Sequence, residues 1–338
     1  MFSQSLNFIQ KLKRTFFPFY KDKDLKFIFN KLQDGLPKEK VAARFVGGCV
    51  RKHLSNEKID DIDIATIFTT DQIREKFKDT SLKIIDTGIE HGTVTLVSDK
   101  HKVELTTLRK DIKTDGRHAE VVFTKDWNED SIRRDFTINS IYADIDGNIF
   151  DPNNGVRDLQ NGEVKFIGNS EKRIQEDYLR ILRYIRFSLL YSSKNHTNDI
   201  KKNIKQNIIG ISNLSKERLL DELEKIFKSS ALFNLDKDDF SYEIISLIFP
   251  QLVNLKTLKK LEKQKKELLK NKNFDFLLAF LILDETDNSE YFLYKFKLSN
   301  ETKNKINFLK SYLIKLKEKD FFSKKTLIKF FIIMINLV

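Results

Sequence analysis

Residues 47–66 read GGCVRKHLSNEKIDDIDIAT. The second half of this stretch alternates acidic and apolar residues, which predicts a strand with Ile62 and Ile64 in the core and Asp61 and Asp63 on the opposite face. Two like charges on one face repel each other, unless a cation lies between them. Mg²⁺ suits such a pair, because it usually binds one or two protein carboxylates together with substrate phosphates. An isolated DxD pair is more often two solvent-facing acids on an edge strand.

The first half of the stretch changes that balance. Gly48 lets the backbone approach a bound group closely, and the helix that follows begins with free N–H groups. Arg51 lies in the first turn of that helix, ten residues before Asp61. These are parts of a phosphate-binding site, and they lie one strand away from the acidic pair. The combination predicts a metal site beside a phosphate site.

The charge of the chain favours a polyanionic partner. The 338 residues include 61 Lys or Arg and 49 Asp or Glu, for a net charge of +12. Residues 251–338 contain 19 Lys, no Arg and 10 Asp or Glu, so they carry nine of these twelve charges. A solvated helical surface explains any single lysine, but the whole segment favours phosphate binding.

Other features bear on the location of the protein. Cys49 is the single cysteine, which excludes an internal disulfide and fits a reducing compartment. Residues 1–20 do not resemble a signal peptide, and no apolar run reaches the roughly 20 residues of a membrane span. We therefore expect a cytoplasmic protein without membrane contact. The apolar run at 330–338 predicts a buried helix end, a contact surface or the point where a longer chain was cut.

Local patterns predict an α+β fold. The sequence has strand patterns at Ala43–Val46, Asp61–Ala65, Thr93–Val97 and Val103–Thr107, and helix patterns at Val50–Leu54 and Asp71–Phe77. All 11 glycines lie at or before Gly210, and only Pro250 follows as a helix breaker, so the C-terminal half should be all α-helical. We expect a head with a small mixed sheet flanked by helices at 1–165, a helical neck at 166–230 and a helical body at 231–338.

Residues 171–190 predict one helix. Its apolar stripe consists of Ile174, Tyr178, Ile181 and Ile185. The rest of its surface carries Asp177, Arg180, Arg183 and Arg186.

The strand, the GGCVR turn, the helix and DIDIAT together resemble the first motif of the class II tRNA nucleotidyltransferases and bacterial poly(A) polymerases, in the polymerase β-like superfamily. Further motifs follow in order over residues 40–230. They are HGTVTLV and VELTTLRKD at 91–111, DGRHAEVVF at 115–123, SIRRDFTINSIYAD at 131–144, DPNNGVRDLQNGEVKFIG at 151–168, RIQEDYLRILRYIRFS at 173–188 and SKERLLDELEKIF at 215–227.

The resemblance implies an enzyme that adds C, C and A to tRNA 3′ ends from CTP and ATP, with release of pyrophosphate. Asp61 and Asp63 would bind two Mg²⁺ ions. Glu104 is a candidate third acid near the metals, although a surface strand Glu explains it equally well. Gly48 and Arg51 would hold the triphosphate. The resemblance implies no obligate protein partner.

Nucleotide contacts are also implied for two later motifs. Arg134 would contact the nucleotide, while Arg133 can be a surface charge and Asp135 can orient its neighbours. Asp177 and Arg180 would read the Watson–Crick edge that C and A share. Arg183 and Arg186 would support phosphates or pair with acids. The loop at 115–117 lies where the family has a mobile loop that helps choose between bases.

One departure from the family and several alternatives stay open. Lys52 stands where the family usually has Asp, which puts the role of that Asp in doubt. Poly(A) polymerase and A-adding or CC-adding specialists share these motifs. An inactive RNA-binding relative is a further alternative, which the retained acids and arginines disfavour. Transfer of a nucleotide to a small molecule would not need the basic helical half.

Overall fold

The computed structural model describes Phe19, residues 21–114 and residues 119–315. Within these residues the strands are β1 (Ala43–Val46), β2 (Ile62–Thr66), β3 (Lys83–Gly88), β4 (Thr93–Val97), β5 (Lys102–Thr107), β6 (Arg109–Thr114), β7 (Ala119–Phe123), β8 (Tyr142–Ala143) and β9 (Ile149–Phe150). The helices of the first part are α1 (Lys23–Gln33), α2 (Gly48–Leu54), α3 (Thr70–Phe77), α4 (Trp127–Ile132), α5 (Gly155–Gln160), α6 (Ser170–Glu176) and α7 (Leu179–Tyr191). The remaining helices are α8 (Asn198–Asn207), α9 (Lys216–Phe227), α10 (Ala231–Asn234), α11 (Asp239–Ile248), α12 (Leu255–Lys260), α13 (Lys263–Lys270), α14 (Phe274–Ile282), α15 (Asn288–Phe296) and α16 (Asn300–Lys315).

Seven strands form one mixed sheet in the order β3-β4-β5-β2-β1-β8-β9. The β2–β5 pair is parallel, and the other neighbouring pairs are antiparallel. Strands β6 and β7 form a separate hairpin. The predicted α+β class is therefore confirmed, with a larger sheet than the four strand patterns indicated.

One face of the sheet is covered by α1, α2 and α3. Leu25 and Ile28 of α1, Phe45 of β1, Ile64 of β2 and Ile73 of α3 are at most 1% exposed and belong to one apolar cluster. Removing such side chains from water is the dominant favourable term in folding, at about 25 cal/mol per Å² of apolar surface. Because side chains alternate along a strand, this burial leaves Asp63 on the other face.

The strand predictions agree closely with the structure. β1 and β4 have the predicted bounds, while β2 begins at Ile62 and β5 at Lys102. β3 was not predicted, and the reason is its position at the sheet edge, where most of its residues are exposed and no apolar alternation is needed.

The predicted helix at 171–190 is wrong as a single element. α6 ends at Glu176, Asp177 has an extended backbone with φ −156° and ψ 104°, and α7 begins at Leu179. Ile174, Ile181 and Ile185 are fully buried as the stripe requires. No proline or glycine marks the break, so apolar spacing alone could not detect it.

From Asn198 to Lys315 the described chain contains only helices and connecting segments, which confirms the all-α prediction for these residues. Several helices begin with a side-chain cap, as at Ser215 of α9, Asp238 of α11 and Asn273 of α14. The C-terminal run at 330–338 lies outside the described residues. None of the helices within the described part is both long and apolar enough to cross a bilayer.

The chain divides into two compact units. The first comprises the residues up to Asp177 together with Tyr191–Lys194, and the second comprises Tyr178–Leu190 and the residues from Asn195 onward. The division into head, neck and body remains a prediction.

Candidate active site

The acidic pair lies at the start of β2. Ile62 and Ile64 are 7% and 1% exposed on the covered face of the sheet. Asp63, between them, is partly buried on the other face, and Asp61 is exposed just before the strand begins. The predicted alternation is therefore present in the structure.

Glu104 lies beside Asp63. The parallel register of β2 and β5 pairs Asp63 with Glu104, while Val103 and Leu105 are fully buried on the other face. Burial and the charge of Glu104, and more weakly that of Asp61, raise the pKa of Asp63 to about 6, although Arg134 opposes this shift. Three carboxylates thus share one region of the sheet face.

These acids line a hollow of about 440 Å³. Among the residues that the structure describes, no group of three or more His, Cys, Asp or Glu side chains has the arrangement of a complete metal cluster. Mg²⁺ does not require one, since substrate phosphates and water complete its shell around one or two carboxylates. Glu104 and Asp61 place further negative charge beside the partly buried Asp63, which a divalent cation would neutralise. The donor set therefore fits a hard divalent cation held by Asp61 and Asp63.

The glycine pair brings α2 next to these acids. Gly47 has φ +68° and ψ −116°, a conformation that side-chain-bearing residues rarely adopt. A Cβ atom on Gly48, the first residue of α2, would lie 3.9 Å from Asp63 Oδ2. The backbone at Gly48 is therefore exposed to any group that binds the acids.

Arg51 is held by a chain of polar contacts. It is 7% exposed, its Nη1 donates to Asn139 Oδ1, and its guanidinium lies 5.0 Å from the ring centre of Tyr191. Asn139 Nδ2 donates in turn to Asp135 Oδ1 at 2.9 Å. Asp135 therefore orients its neighbours, as predicted. Asn139 was missed, although it lies within the DFTINS motif.

Arg134 is held over the same sheet face. Its Nη2 donates to Asp130 Oδ2 at 3.1 Å and its Nε to Tyr142 Oη at 3.0 Å. Tyr142 Oη donates to Asp130 Oδ2 at 2.8 Å. A Cβ atom on Gly47 would lie 3.7 Å from Arg134 Nη1, so this guanidinium lies beside the glycine turn.

Asp130 is the centre of this network and was missed in the sequence. Although burial opposes its charge, Arg134 and Arg133 hold its pKa well below the usual range. Arg133 Nε donates to Asp130 Oδ1 at 2.8 Å, which corrects the interpretation of Arg133 as a surface charge. The only signal in the sequence was the spacing of Asp130 three and four residues before the arginines.

The register explains why Arg134 lies near Asp63. Phe45 pairs with Ile64 and Val46 with Tyr142, so Glu104, Asp63, Val46 and Tyr142 form one row across β5, β2, β1 and β8. The Tyr142 hydroxyl at one end of this row fixes Arg134. Acids and guanidinium thus share one face of the sheet.

The other predicted residues are distributed between the two units. Asp177 ends the longer segment of the first unit, while Arg180, Arg183 and Arg186 lie on α7 in the second. Arg186 Nε donates to the buried Glu222 at 2.5 Å, which agrees with pairing to an acid. The structure leaves the base-reading role of Asp177 and Arg180 as a prediction.

Two further predictions concern loops. The DGR loop at 115–117, for which a role in choosing between bases is expected, lies wholly outside the described residues, between β6 and β7. Lys52, which stands in place of the family Asp, donates to Asp60 at 2.9 Å. Its ammonium group therefore neutralises an acid directly before Asp61 and Asp63.

Comparisons with known proteins identify the family of this chain. Residues 43–165 match the poly A polymerase head domain, and residues 197–255 match the probable RNA and SrmB-binding site of polymerase A. Human CCA tRNA nucleotidyltransferase 1, mitochondrial, is 45% identical over 192 residues, which are 56% of this chain and 44% of the human protein. The CCA-adding enzyme of Staphylococcus haemolyticus is 36% identical over 270 residues, which are 78% of this chain and 63% of that enzyme.

The crystal structure of the Bacillus stearothermophilus CCA-adding enzyme in complex with CTP has a TM-score of 0.67 to this chain at 26% identity. The match covers 92% of this chain and 74% of that one. This chain spans about half the length of the human relative and less than two thirds of the staphylococcal one. Given the two matched domains, the ordered motifs and the shared fold, the chain belongs to the family of class II tRNA nucleotidyltransferases and bacterial poly(A) polymerases.

Proposed function

We propose that this protein adds C, C and A to the 3′ end of tRNA, with CTP and ATP as nucleotide donors and pyrophosphate as the second product. The observation that carries the proposal is the grouping of Asp61, Asp63 and Glu104 close to Gly48 and Arg134. This arrangement has the acids of a metal site directly beside the donors of a triphosphate site. The names of the relatives support tRNA as the acceptor.

In this reaction the 3′-hydroxyl oxygen of the RNA forms a bond to the α-phosphorus, and the bond to the bridging oxygen of the pyrophosphate breaks. The hydroxyl proton is released to solvent. Mg²⁺, when bound to Asp61 and Asp63, supplies positive charge that favours ionisation of the hydroxyl and balances charge on the leaving pyrophosphate. We propose two ions, in line with the two-carboxylate motif.

The side chains of the protein hold the reactants in place. Arg51 and Arg134 donate to the triphosphate, and each is fixed by neighbours, Arg51 by Asn139 and Arg134 by Asp130. Prior fixation matters because an ordered guanidinium loses little freedom when the substrate binds. The Gly48 backbone completes the phosphate contacts.

Base choice is assigned to the start of α7. Asp177 would accept from the exocyclic amine of C or A, and Arg180 would donate to the adjacent ring nitrogen or carbonyl. Arg183 and Arg186 would support this surface by binding phosphates or by pairing with acidic side chains. The mostly helical remainder would hold the tRNA by shape and backbone charge. In this proposal residues 1–165 are the catalytic head, 166–230 the neck and 231–338 the body, and the protein acts in the cytoplasm.

The test is a product assay on a tRNA that lacks its CCA end. The protein is incubated with each nucleoside triphosphate singly and with all four, with Mg²⁺ or with EDTA, and the products are sequenced. We expect C additions with CTP alone, and a complete CCA end with CTP and ATP. EDTA should abolish both, while Mg²⁺ should restore them.

Polyadenylation is the second candidate, because the matched head domain is shared with poly A polymerases. A uniform oligo(A) extension in the same assay would replace the CCA proposal with this one. Addition of only A or only CC would identify a specialist.

A further inference from the structure

The hollow at the acidic pair has a basic rim. Its acids lie just before and at the start of β2 and on β5, and its basic residues lie in the turn that joins β4 to β5 and at the first position of β5. The complete lining is Asp60, Asp61, Ile62, Asp63, Lys100, His101, Lys102 and Glu104. The basic residues of this rim belong to none of the motifs of the family resemblance.

Lys100 and Lys102 are exposed. Within the described part of the chain, neither lysine forms an ion pair with a carboxylate, whereas Lys52 on the other side of the acids is paired with Asp60. Lys102 lies two residues before Glu104 on β5, so both side chains extend from the same face of the sheet. The hollow is therefore lined by acids and also by two exposed ammonium groups.

The turn that carries this rim is tightly fixed. Ser98 N donates to His101 O at 2.8 Å, and Ser98 Oγ accepts from the backbone N–H groups of Lys100 and His101. His101 Nε2 lies 2.8 Å from Oδ2 of Asp22, whose other carboxylate oxygen caps α1. A fixed backbone presents the lysines at a defined position, which reduces the entropy lost when a ligand binds.

The position of the two lysines relative to Asp63 indicates which part of the substrates they would bind. In the sheet, β5 lies on one side of β2 and β1 on the other. Gly48 and Arg134 lie on the β1 side of Asp63, and Lys100 and Lys102 lie on the β5 side. In phosphoryl transfer the attacking and leaving oxygens are roughly in line, on opposite sides of the phosphorus. If the triphosphate occupies the β1 side, the attacking RNA strand must enter from the β5 side.

We propose that Lys100 and Lys102 form a binding site for the backbone phosphates of the last unpaired nucleotides of the RNA acceptor. This inference rests on the proposed function, because that function defines the side from which the RNA 3′-hydroxyl attacks the triphosphate. The lysines would hold the 3′ end while Asp61 and Asp63 act on its terminal hydroxyl. Contact with phosphates alone lets the same site hold ends of different sequence.

The test uses the full chain with the double substitution Lys100→Gln and Lys102→Gln. The matched control replaces Lys23, the first residue of α1, and Lys78, the C-cap of α3, by Gln, since these two helices cover the opposite face of the sheet. Binding of tRNA lacking CCA is measured without nucleotide at 50 to 200 mM salt, and steady-state assays give KM for tRNA and for CTP. Each phosphate contact to a single strand contributes about 0.7 to the slope of log affinity against log salt.

We expect the double variant to lower this slope by about 1.4, so the affinity ratio of wild type to variant should shrink about sevenfold between 50 and 200 mM salt. KM for tRNA should rise, with KM for CTP and kcat within twofold of wild type. The control should behave as wild type.

Two results would overturn the inference. One is an unchanged affinity and slope for tRNA, and the other is a raised KM for CTP with unchanged RNA binding, which would assign the rim to the nucleotide. Failure of the proposed function would give a different result, because the wild-type protein would then transfer no nucleotide. The tRNA-binding measurement would still report whether Lys100 and Lys102 contact the RNA.

Discussion

Asp63 and Glu104 are direct partners on the parallel strands β2 and β5, and their carboxylates lie on the same face of the sheet. Burial, together with the charge of Glu104, raises the pKa of Asp63 to about 6. Such repulsion lowers stability in the absence of a cation, and strongly perturbed pKa values cluster at functional sites. The pair marks the position where we expect the metal to bind.

The acids themselves provide the first prediction. Asp61→Asn or Asp63→Asn should lower kcat/KM for nucleotide transfer by about 10³-fold or more, because the site would lose metal charge worth several kcal/mol. Binding of tRNA should change little. Asp60→Asn is the matched control, since Asp60 is an exposed neighbour paired with Lys52. Normal turnover by either variant would contradict the metal assignment.

The two glycines should respond differently to the same substitution. Gly47→Ala should lower the free energy of unfolding by about 2 kcal/mol, because φ is +68° at this position. Gly48→Ala should leave stability nearly unchanged, since its Cβ would have only ordinary contacts and Ala favours a helix. Gly48→Ala should instead raise KM for CTP about tenfold, which corresponds to a loss of about 1.4 kcal/mol in the free energy of CTP binding. Urea unfolding and steady-state kinetics measure the two effects, and equal behaviour of both variants would refute this distinction.

Asp130 should act on the nucleotide through Arg134. Asp130→Asn leaves two guanidinium groups without their shared carboxylate, which should cost about 3 kcal/mol of stability and raise KM for CTP and ATP. Tyr142→Phe keeps the charges and removes only the hydroxyl contacts, so it should keep the fold and raise KM more modestly.

Glu129→Gln is the control for Asp130, since Glu129 is a neighbour that pairs at the surface with Lys110. If Tyr142→Phe and Asp130→Asn both left KM for nucleotide at the wild-type value, Asp130 would have a purely structural role.

Base selection is expected to depend on Asp177 and Arg180. Substitution of either by Ala should reduce discrimination of CTP over UTP by about 10- to 100-fold, the range expected for loss of a paired hydrogen-bond contact to a base. Competition assays with both nucleotides present measure the ratio directly, and Glu171→Gln on α6 provides a control. Unchanged discrimination would move base reading to other residues.

A pH effect is expected in the second unit. Asp238 caps α11, and its Oδ2 lies 2.7 Å from His196 Nε2. Burial opposes its charge, but contacts with His196 and Ser241 lower its pKa to about 2. Because the folded-state pKa is below the unfolded value near 3.8, the stabilisation is complete above pH 4 and is lost as the pH falls toward 2.

Asp238→Asn should therefore cost about 2 kcal/mol at pH 7 and almost nothing near pH 2. Urea unfolding at several pH values measures this difference. Asp239→Asn is the control, because Asp239 is highly exposed and its ion pair with Lys259 contributes little. A pH-independent difference for Asp238→Asn would exclude titration of this carboxylate as its cause.

Local sequence determined the individual elements and the order of the motifs. The alternation around Asp61 and Asp63 predicted the buried and exposed faces of β2, because a strand has a strict period of two. The bounds of β1 and β4 and the absence of strands between Gly210 and Lys315, where the described residues end, followed from apolar runs and from the distribution of glycine. Such features depend on neighbouring residues only, so the chain itself specifies them.

Only the tertiary structure decided which distant residues meet. Strand pairing placed Glu104 beside Asp63 and brought Tyr142 into the same row. Folding also brought the ring of Tyr191 against Arg51 and the carboxylate of Asp130 into contact with Arg134. The break between α6 and α7 was decided in the same way, since no local residue type requires it. Register and packing depend on contacts between residues far apart in the chain, and no periodicity along a single segment contains that information.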